Sequence, residues 1–232
     1  MPVSASVIVP AYEEPVFLSQ CLSSLRGQAA EVVVVASDAP TRHVAQSHAA
    51  CDLVVEDDGE GAGAARNRGV EASTGDVLLF TDADTTVPPE WVATHCRHYD
   101  NPSVVGVGGP ARPLDGDTAD EVLFRILSDY WFRASWPLGF IQLPTFNCSY
   151  RRSTFLEHGG FDEGIPFMED TELSLRLRDT GEFVYDPGTR VATSVRRESD
   201  QGYLSLFLLY ARAYVYYYVL DREFDGEYFA SK

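Results

Sequence analysis

With 232 residues, 45% of them hydrophobic, the chain can bury a sizeable core and is too apolar to stay disordered. A formal charge of -17, with Lys232 as the only lysine, disfavours nucleic acid and anionic lipid as partners. The same acid-rich, arginine-for-lysine balance suits solubility at high salt, where the Debye length falls to about 3 Å at 1 M, and is read as halophile-like.

The opening MPVSASVIVP has no basic region before its apolar run, so no secretory leader is expected. SVIVP (6–10) predicts a strand, and PVFLSQCLSSLRGQ (15–28) a helix with Pro15 in its first turn. EVVVVAS (31–37) predicts a second buried strand, TRHVAQSHAA (41–50) a helix and DLVVED (52–57) a third strand. A glycine-rich loop then enters a helix over GAARNRGVEAS, and DVLLFTD (76–82) is a fourth strand. This alternation predicts an α/β fold with a mostly parallel, Rossmann-like sheet flanked by helices. Beyond it come a glycine-rich strand (104–113), an aromatic helix (120–136) and a strand (146–152). An amphipathic helix (169–181) follows, then two short strands, EFVYDPG and RVATSV. Residues 203–220 are apolar nearly all round and predict a C-terminal aromatic helix. Two units are expected: 1–200, the α/β domain, and 201–232, a helical appendage packed on it or at a membrane surface. Cysteines 21, 51, 96 and 148 are too scattered for a zinc or disulfide framework and suit a reducing compartment.

In a parallel α/β sheet, ligands sit beyond the carboxyl ends of the strands. Tyr12, Asp38, Asp57 and Asp82 fall at or just past those ends. Asp82-Ala83-Asp84 closes the fourth strand with two carboxylates one residue apart, a pair able to share a hard divalent cation such as Mg²⁺. Alone, the same spacing occurs often in solvated turns. In GEGAGAARNRG (59–69) a dinucleotide fingerprint fails, because Arg66 stands where the third glycine belongs. Arg66 and Arg68 instead bring guanidinium forks to a helix start, where they suit a phosphate or a base. Glu169 and Asp170 open a helix, a position that the dipole favours for carboxylates on structural grounds alone. Beside a pocket, such an acid also serves as a general base.

Together VIVPAYEEP, VVVVASD, GAARNRGVEASTGDVLLFTDAD, GGFDE and MEDTELSLRLRDTG resemble the family 2 glycosyltransferases, inverting sugar-nucleotide-dependent enzymes of the GT-A fold. The resemblance runs from about residue 5 to 195. It implies that Pro10, Tyr12, Glu14 and Asp38 line the nucleotide pocket with Arg66 beside them, and that Asp82 meets the ribose or the metal shell. It implies Asp84 as ligand of Mn²⁺ or Mg²⁺, Asp170 as the base acting on the acceptor hydroxyl, and Glu169 as its support. Gly159, Gly160, Phe161 and Asp162 would form a loop near donor or acceptor, and Trp131 is a further acceptor candidate. The chain departs from the family pattern at Glu13-Glu14, at Ser37-Asp38 and at Ser194, where members often carry a histidine. Arg196 and Arg197 are candidates to neutralise the diphosphate there.

The expected reaction moves a sugar from a nucleotide-diphosphate sugar, a UDP-sugar by default, to an acceptor hydroxyl of a glycan or glycoconjugate. The alternatives are a polyprenyl (dolichyl) phosphate acceptor and, in another class, an inactive sugar-nucleotide-binding module. A sugar-1-phosphate nucleotidyltransferase is disfavoured, since AYEEP offers no glycine-rich basic cradle for a triphosphate. Aromatic crowding at 130–140 and 203–218 reads mainly as core cover, with a lipid-facing surface as the sharper reading. Arg212 makes a full membrane span costly. The expected location is cytoplasmic, with peripheral contact at the cytoplasmic face of a membrane.

Overall fold

The computed structural model describes residues 3–115, 118, 121–122, 125–136, 141–165, 167–194 and 212. A seven-stranded sheet runs in the order β3-β2-β1-β4-β8-β6-β9. Its strands are β1 (Ala5–Ala11), β2 (Glu31–Ala36), β3 (Leu53–Glu56), β4 (Val77–Phe80), β6 (Val104–Gly108), β8 (Cys148–Arg151) and β9 (Glu182–Tyr185). Every pairing is parallel except those of β8 with β4 and β6. A small second sheet orders β5 (Thr85–Thr86), β10 (Val191–Thr193) and β7 (Ala111–Pro113).

Alternation along β1 explains the layering. Ala5, Val7, Val9 and Ala11 point to one face, where Leu18, Leu22 and Leu25 of helix α1 (Pro15–Leu25) cover them. That layer also takes Ala45 of α2 (Ala39–Ser47) and Trp91 of α4 (Trp91–Cys96). Ile8 points to the other face, with Val70 of α3 (Ala62–Ala72). α5 (Phe132–Ser135) continues a π-helical stretch over Arg125–Trp131. Phe155 of α6 (Arg152–Glu157), and Leu173 and Leu177 of α7 (Glu169–Leu177), complete the second layer. The central strands are apolar on both sides because both faces are covered, as the sequence run suggested.

α3 lies so close to the sheet that a Cβ on Gly69 would sit 2.5 Å from Ile8 Cγ2 and 3.0 Å from Val35 Cγ2. Gly69→Ala is expected to cost about 1–3 kcal/mol through overpacking, read as a lowered urea midpoint with an unchanged m-value.

Several element boundaries differ from the sequence expectation. The strand expected over 104–113 breaks at Gly109-Pro110 into β6 and β7, which belong to different sheets. Proline has no ladder donor, and a Cβ on Gly109 would fall 1.8 Å from Thr189 Oγ1. Helix α4 and strand β5, directly after the Asp82–Asp84 turn, have no counterpart in the sequence reading. The aromatic helix expected over 120–136 is part π-helical. Residues 201–232 lie outside the described residues apart from Arg212, and with them the expected C-terminal aromatic helix. Among the described residues no helix is long and apolar enough to cross a membrane.

Candidate active site

β1 and β2 end level, with Ala11 opposite Ala36, while β4 stops at Phe80 opposite Ile8 and its continuation Thr81-Asp82 runs on toward the same carboxyl edge. Tyr12, Asp38 and Asp82 therefore emerge along one edge. After β4 the chain turns sharply, with Thr85 N donating to Asp82 O at 3.0 Å. The second sheet fastens this turn. Ser194 N donates to Asp84 O at 3.2 Å, and Thr85 Oγ1 bonds Thr193 Oγ1 at 2.9 Å in a buried contact. Ser194, at the end of β10, is thus directly beside the Asp82–Asp84 turn.

Arg66 joins this turn to α7. Its Nη2 donates to Asp82 Oδ1 at 2.9 Å and its Nη1 to Glu169 Oε1 at 2.6 Å. The Arg66 side chain is 5% exposed, that of Glu169 15% and that of Asp82 33%. The guanidinium carbon lies 5.7 Å from the centroid of the Phe161 ring. Burial works against the Arg66 charge, but Asp82 and Glu169 outweigh it and hold its pKa above the usual arginine value. Arg66 Nε–H is buried without a hydrogen-bond partner among the described residues.

α7 starts from Met168, which takes the left-handed conformation with φ 64°. Such a conformation costs a non-glycine residue of order 1–3 kcal/mol and persists where surrounding structure demands it. It sets Glu169 and Asp170 side by side at the helix N-terminus. Asp170 Oδ1 accepts from Thr171 N at 2.6 Å and from Thr171 Oγ1 at 3.2 Å. Burial, then the neighbouring Glu169 charge, raise the Asp170 pKa to about 7, with Arg66 and the Thr171 bonds pulling the other way. A carboxylate titrating near neutrality is well matched to proton transfer.

At the far end of the edge, Asp38 caps α2. Its Oδ1 accepts from Thr41 N at 2.9 Å and its Oδ2 from Glu13 N at 2.7 Å. Burial pushes its pKa up, but these backbone donors prevail and the net shift is downward. Asp38 thereby ties the loop after β1 to the start of α2, and Glu13 adopts φ 53°. Tyr12, on the same loop, is 61% exposed, Pro10 is partly buried and Glu14 half-buried.

Two sequence expectations change. The forks of Arg66 and Arg68 are engaged with carboxylates: Arg68 Nη2 contacts Asp58 Oδ2 at 2.9 Å and Glu60 Oε2 at 2.8 Å. Phe161 is 1% exposed, packed against Phe80 and Phe155, so its ring supports Arg66 from below and is unavailable to an acceptor. Gly160, with φ 69°, shapes the backbone there, and Asp162 Oδ1 caps the turn through Gly164 N at 2.9 Å. Trp131 lies on the π-helical stretch, but its side chain, together with Arg196 and Arg197, lies outside the described residues. Missed altogether was Asn67. Its signal was its place directly after Arg66, which the two neighbouring arginines overshadowed.

The glycosyl transferase family 2 model matches residues 6–156. A glucosyl-dolichyl phosphate glucuronosyltransferase of Haloferax volcanii is 31% identical over 156 residues, covering 60% of this chain and 49% of that protein. A pre-mycofactocin glycosyltransferase of Mycobacterium tuberculosis is 29% identical over 207 residues, 83% of this chain and 43% of that protein. The chain thus spans about half the length of the curated relatives it matches. Among solved structures, mannosyltransferase PcManGT from Pyrobaculum calidifontis, in complex with GDP-Man and Mn²⁺, aligns at TM-score 0.68. Its identity is 20%, with 91% of this chain and 65% of that one covered. S. aureus TarS 1–349 in complex with UDP-GlcNAc aligns at TM-score 0.65 and 20% identity, covering 83% of this chain and 59% of that one. The architecture is the GT-A fold. The family match covers the four leading parallel strands, Arg66, the Asp82–Asp84 turn and β8, and this chain belongs to glycosyl transferase family 2.

Proposed function

We propose that the chain is an inverting glycosyltransferase that uses a nucleotide-diphosphate sugar, by default a UDP-sugar. The observation that carries this reading is the Arg66 bridge, which binds the strand-end acid Asp82 and the α7 acid Glu169 into one site beside Asp170. In it, Pro10, Tyr12, Glu14 and Asp38 hold the nucleotide along the strand edge, and Asp82 faces the ribose. Asp170 takes the proton from the acceptor hydroxyl. A bond then forms between that oxygen and the anomeric carbon while the bond from the anomeric carbon to the diphosphate oxygen breaks. Glu169 is locked by Arg66 and supports the base.

The donor set fits a hard divalent ion. Among the described residues no group of three or more His, Cys, Asp or Glu converges, and Asp82 spends one oxygen on Arg66. Asp84, half-buried in the fastened turn one residue beyond Ala83, is the proposed leading ligand, which suits Mn²⁺ or Mg²⁺ held by one or two carboxylates and completed by substrate phosphates. When bound, such an ion would stabilise the departing diphosphate. PcManGT, bound to Mn²⁺ in its solved structure, supports this reading.

A thermal-shift panel of sugar nucleotides with and without Mn²⁺ tests the proposal. A stabilising donor with Mn²⁺ is expected, and Asp84→Asn should remove the Mn²⁺-dependent part of the shift. Equal shifts with and without the ion would dismiss Asp84 as ligand. The Haloferax relative, named for a dolichyl phosphate substrate, favours a second reading in which the acceptor is lipid-linked. Incorporation into a polyprenyl-linked acceptor, set against a soluble glycan, separates the two.

A further inference from the structure

α3 presents Asn67 next to Arg66, and the two side chains do different jobs. The Asn67 amide pairs with the backbone of Phe161 in both directions. Its Oδ1 accepts from Phe161 N at 3.0 Å, and its Nδ2 donates to Phe161 O at 2.8 Å. Nδ2 also meets Glu163 Oε1 at 2.9 Å. From the opposite side Arg176, one face of α7, donates to Gly160 O at 2.8 Å and to His158 O. Arg176 is itself held by Glu172 at 2.6 Å. The loop 158–163 is therefore gripped between α3 and α7 through its main chain. Gly160 belongs to the same grip: with φ +69°, a Cβ there would lie 2.7 Å from Asn67 Oδ1.

We propose that Asn67 is a positioning residue for sugar transfer. It holds the loop 159–163 against α3, and so sets where the Glu169–Asp170 end of α7 stands relative to the Asp82–Asp84 turn. The physical reason is the short chain path. Only residues 162–168 separate Phe161 from Glu169, and that path ends on Met168 in a left-handed conformation with little freedom of its own. Two consecutive residues of α3 thus fasten both ends of this path, Asn67 at Phe161 and Arg66 at Glu169. The residues proposed to hold the nucleotide at β1 and β2 lie off this path, and the ribose-facing Asp82 is joined to its Glu169 end through Arg66, which an Asn67 substitution leaves in place. Loss of the Asn67 amide should therefore displace the base and spare the donor. The role rests on Asp170 being the base, as proposed above.

The test uses the full chain. In Asn67→Ala, hydrogen exchange across 159–172 should speed up by about tenfold or more, with β1, β2 and β4 unchanged. Turnover of the sugar nucleotide chosen by the thermal-shift panel should fall by about 10²-fold, the expected loss for a displacement near 1 Å. The Kd of the matching nucleoside diphosphate should stay within about twofold, since the lost contact lies outside the nucleotide pocket. Glu163→Gln keeps both bonds to Phe161 and should behave as the parent. Asn67→Asp keeps the acceptor for Phe161 N–H, loses the donor, and should repeat the split even if the alanine variant fails to fold. Unchanged turnover in both Asn67 variants, or losses of turnover and nucleotide affinity in equal proportion, would overturn the role. Retained turnover in Asp170→Asn would instead strike the base assignment, and the exchange result would still decide whether Asn67 holds the loop.

Discussion

Asp170→Asn is expected to lower turnover by about 10²–10⁴-fold while nucleotide affinity stays nearly unchanged. The substitution is close to isosteric and leaves an oxygen for Thr171 N, so what is lost is the ability to take a proton. Parent activity should rise with pH through about 7, because burial and Glu169 keep Asp170 protonated below that value. The same shift has a stability consequence of definite sign. An acid whose folded pKa lies above its unfolded value binds more protons when folded, so its contribution falls as pH rises from the ordinary aspartate value of 3.8 through about 7. Asn has no such slope. At pH 8, well above this window, the Tm of Asp170→Asn should equal or exceed that of the parent. A variant that loses turnover without losing stability marks a chemical role. One that unfolds, or one that keeps its turnover, removes Asp170 as the base.

Arg66→Met is the second large effect. It leaves Asp82 and Glu169 facing each other across a cavity without their shared counter-charge. Breaking a buried pair from one side costs about 3–5 kcal/mol, and the partial exposure of Asp82 places the expected loss near the lower end. Arg66 also pulls the Asp170 pKa down, so its removal should move the rising limb of the pH–activity profile upward. Arg66→Lys should recover only part of both effects. An ammonium has a single point of attachment, whereas the guanidinium reaches Asp82 with one nitrogen and Glu169 with the other. Chemical denaturation and a pH series of turnover read the two consequences separately. If Arg66→Met matches the parent in both, the bridge is not what unites the two halves of the site.

Much of the strand-end edge was legible before any coordinates. Short β-branched runs ended by Pro10, Asp38, Asp57 and Asp82 announce parallel strands whose ends line one rim, because residues buried on both faces leave chemistry only at strand ends. The layering of helices on both faces followed from the same pattern. Less legible were the helix Trp91–Cys96 and the two-residue strand Thr85–Thr86, which are too short to display a period. The single strand expected over 104–113 split because Thr189, distant in sequence, occupies the space beside Gly109.

The sequence by itself determined the rhythm of strands and helices, the family, and the candidate acids, since periodicity, chain breakers and motif order are local properties. Tertiary structure alone decided the partners. A guanidinium at position 66 looks equally ready for a phosphate or a base until residue 169 is folded against it, 103 positions along the chain. The aromatic ring at 161 reads as a ligand contact until Phe80 and Phe155 enclose it. Only the fold brings the carboxylate at position 170 into a buried site next to Glu169, and it is this burial, absent from any local pattern, that outweighs Arg66 and the Thr171 bonds and moves its proton affinity toward neutrality.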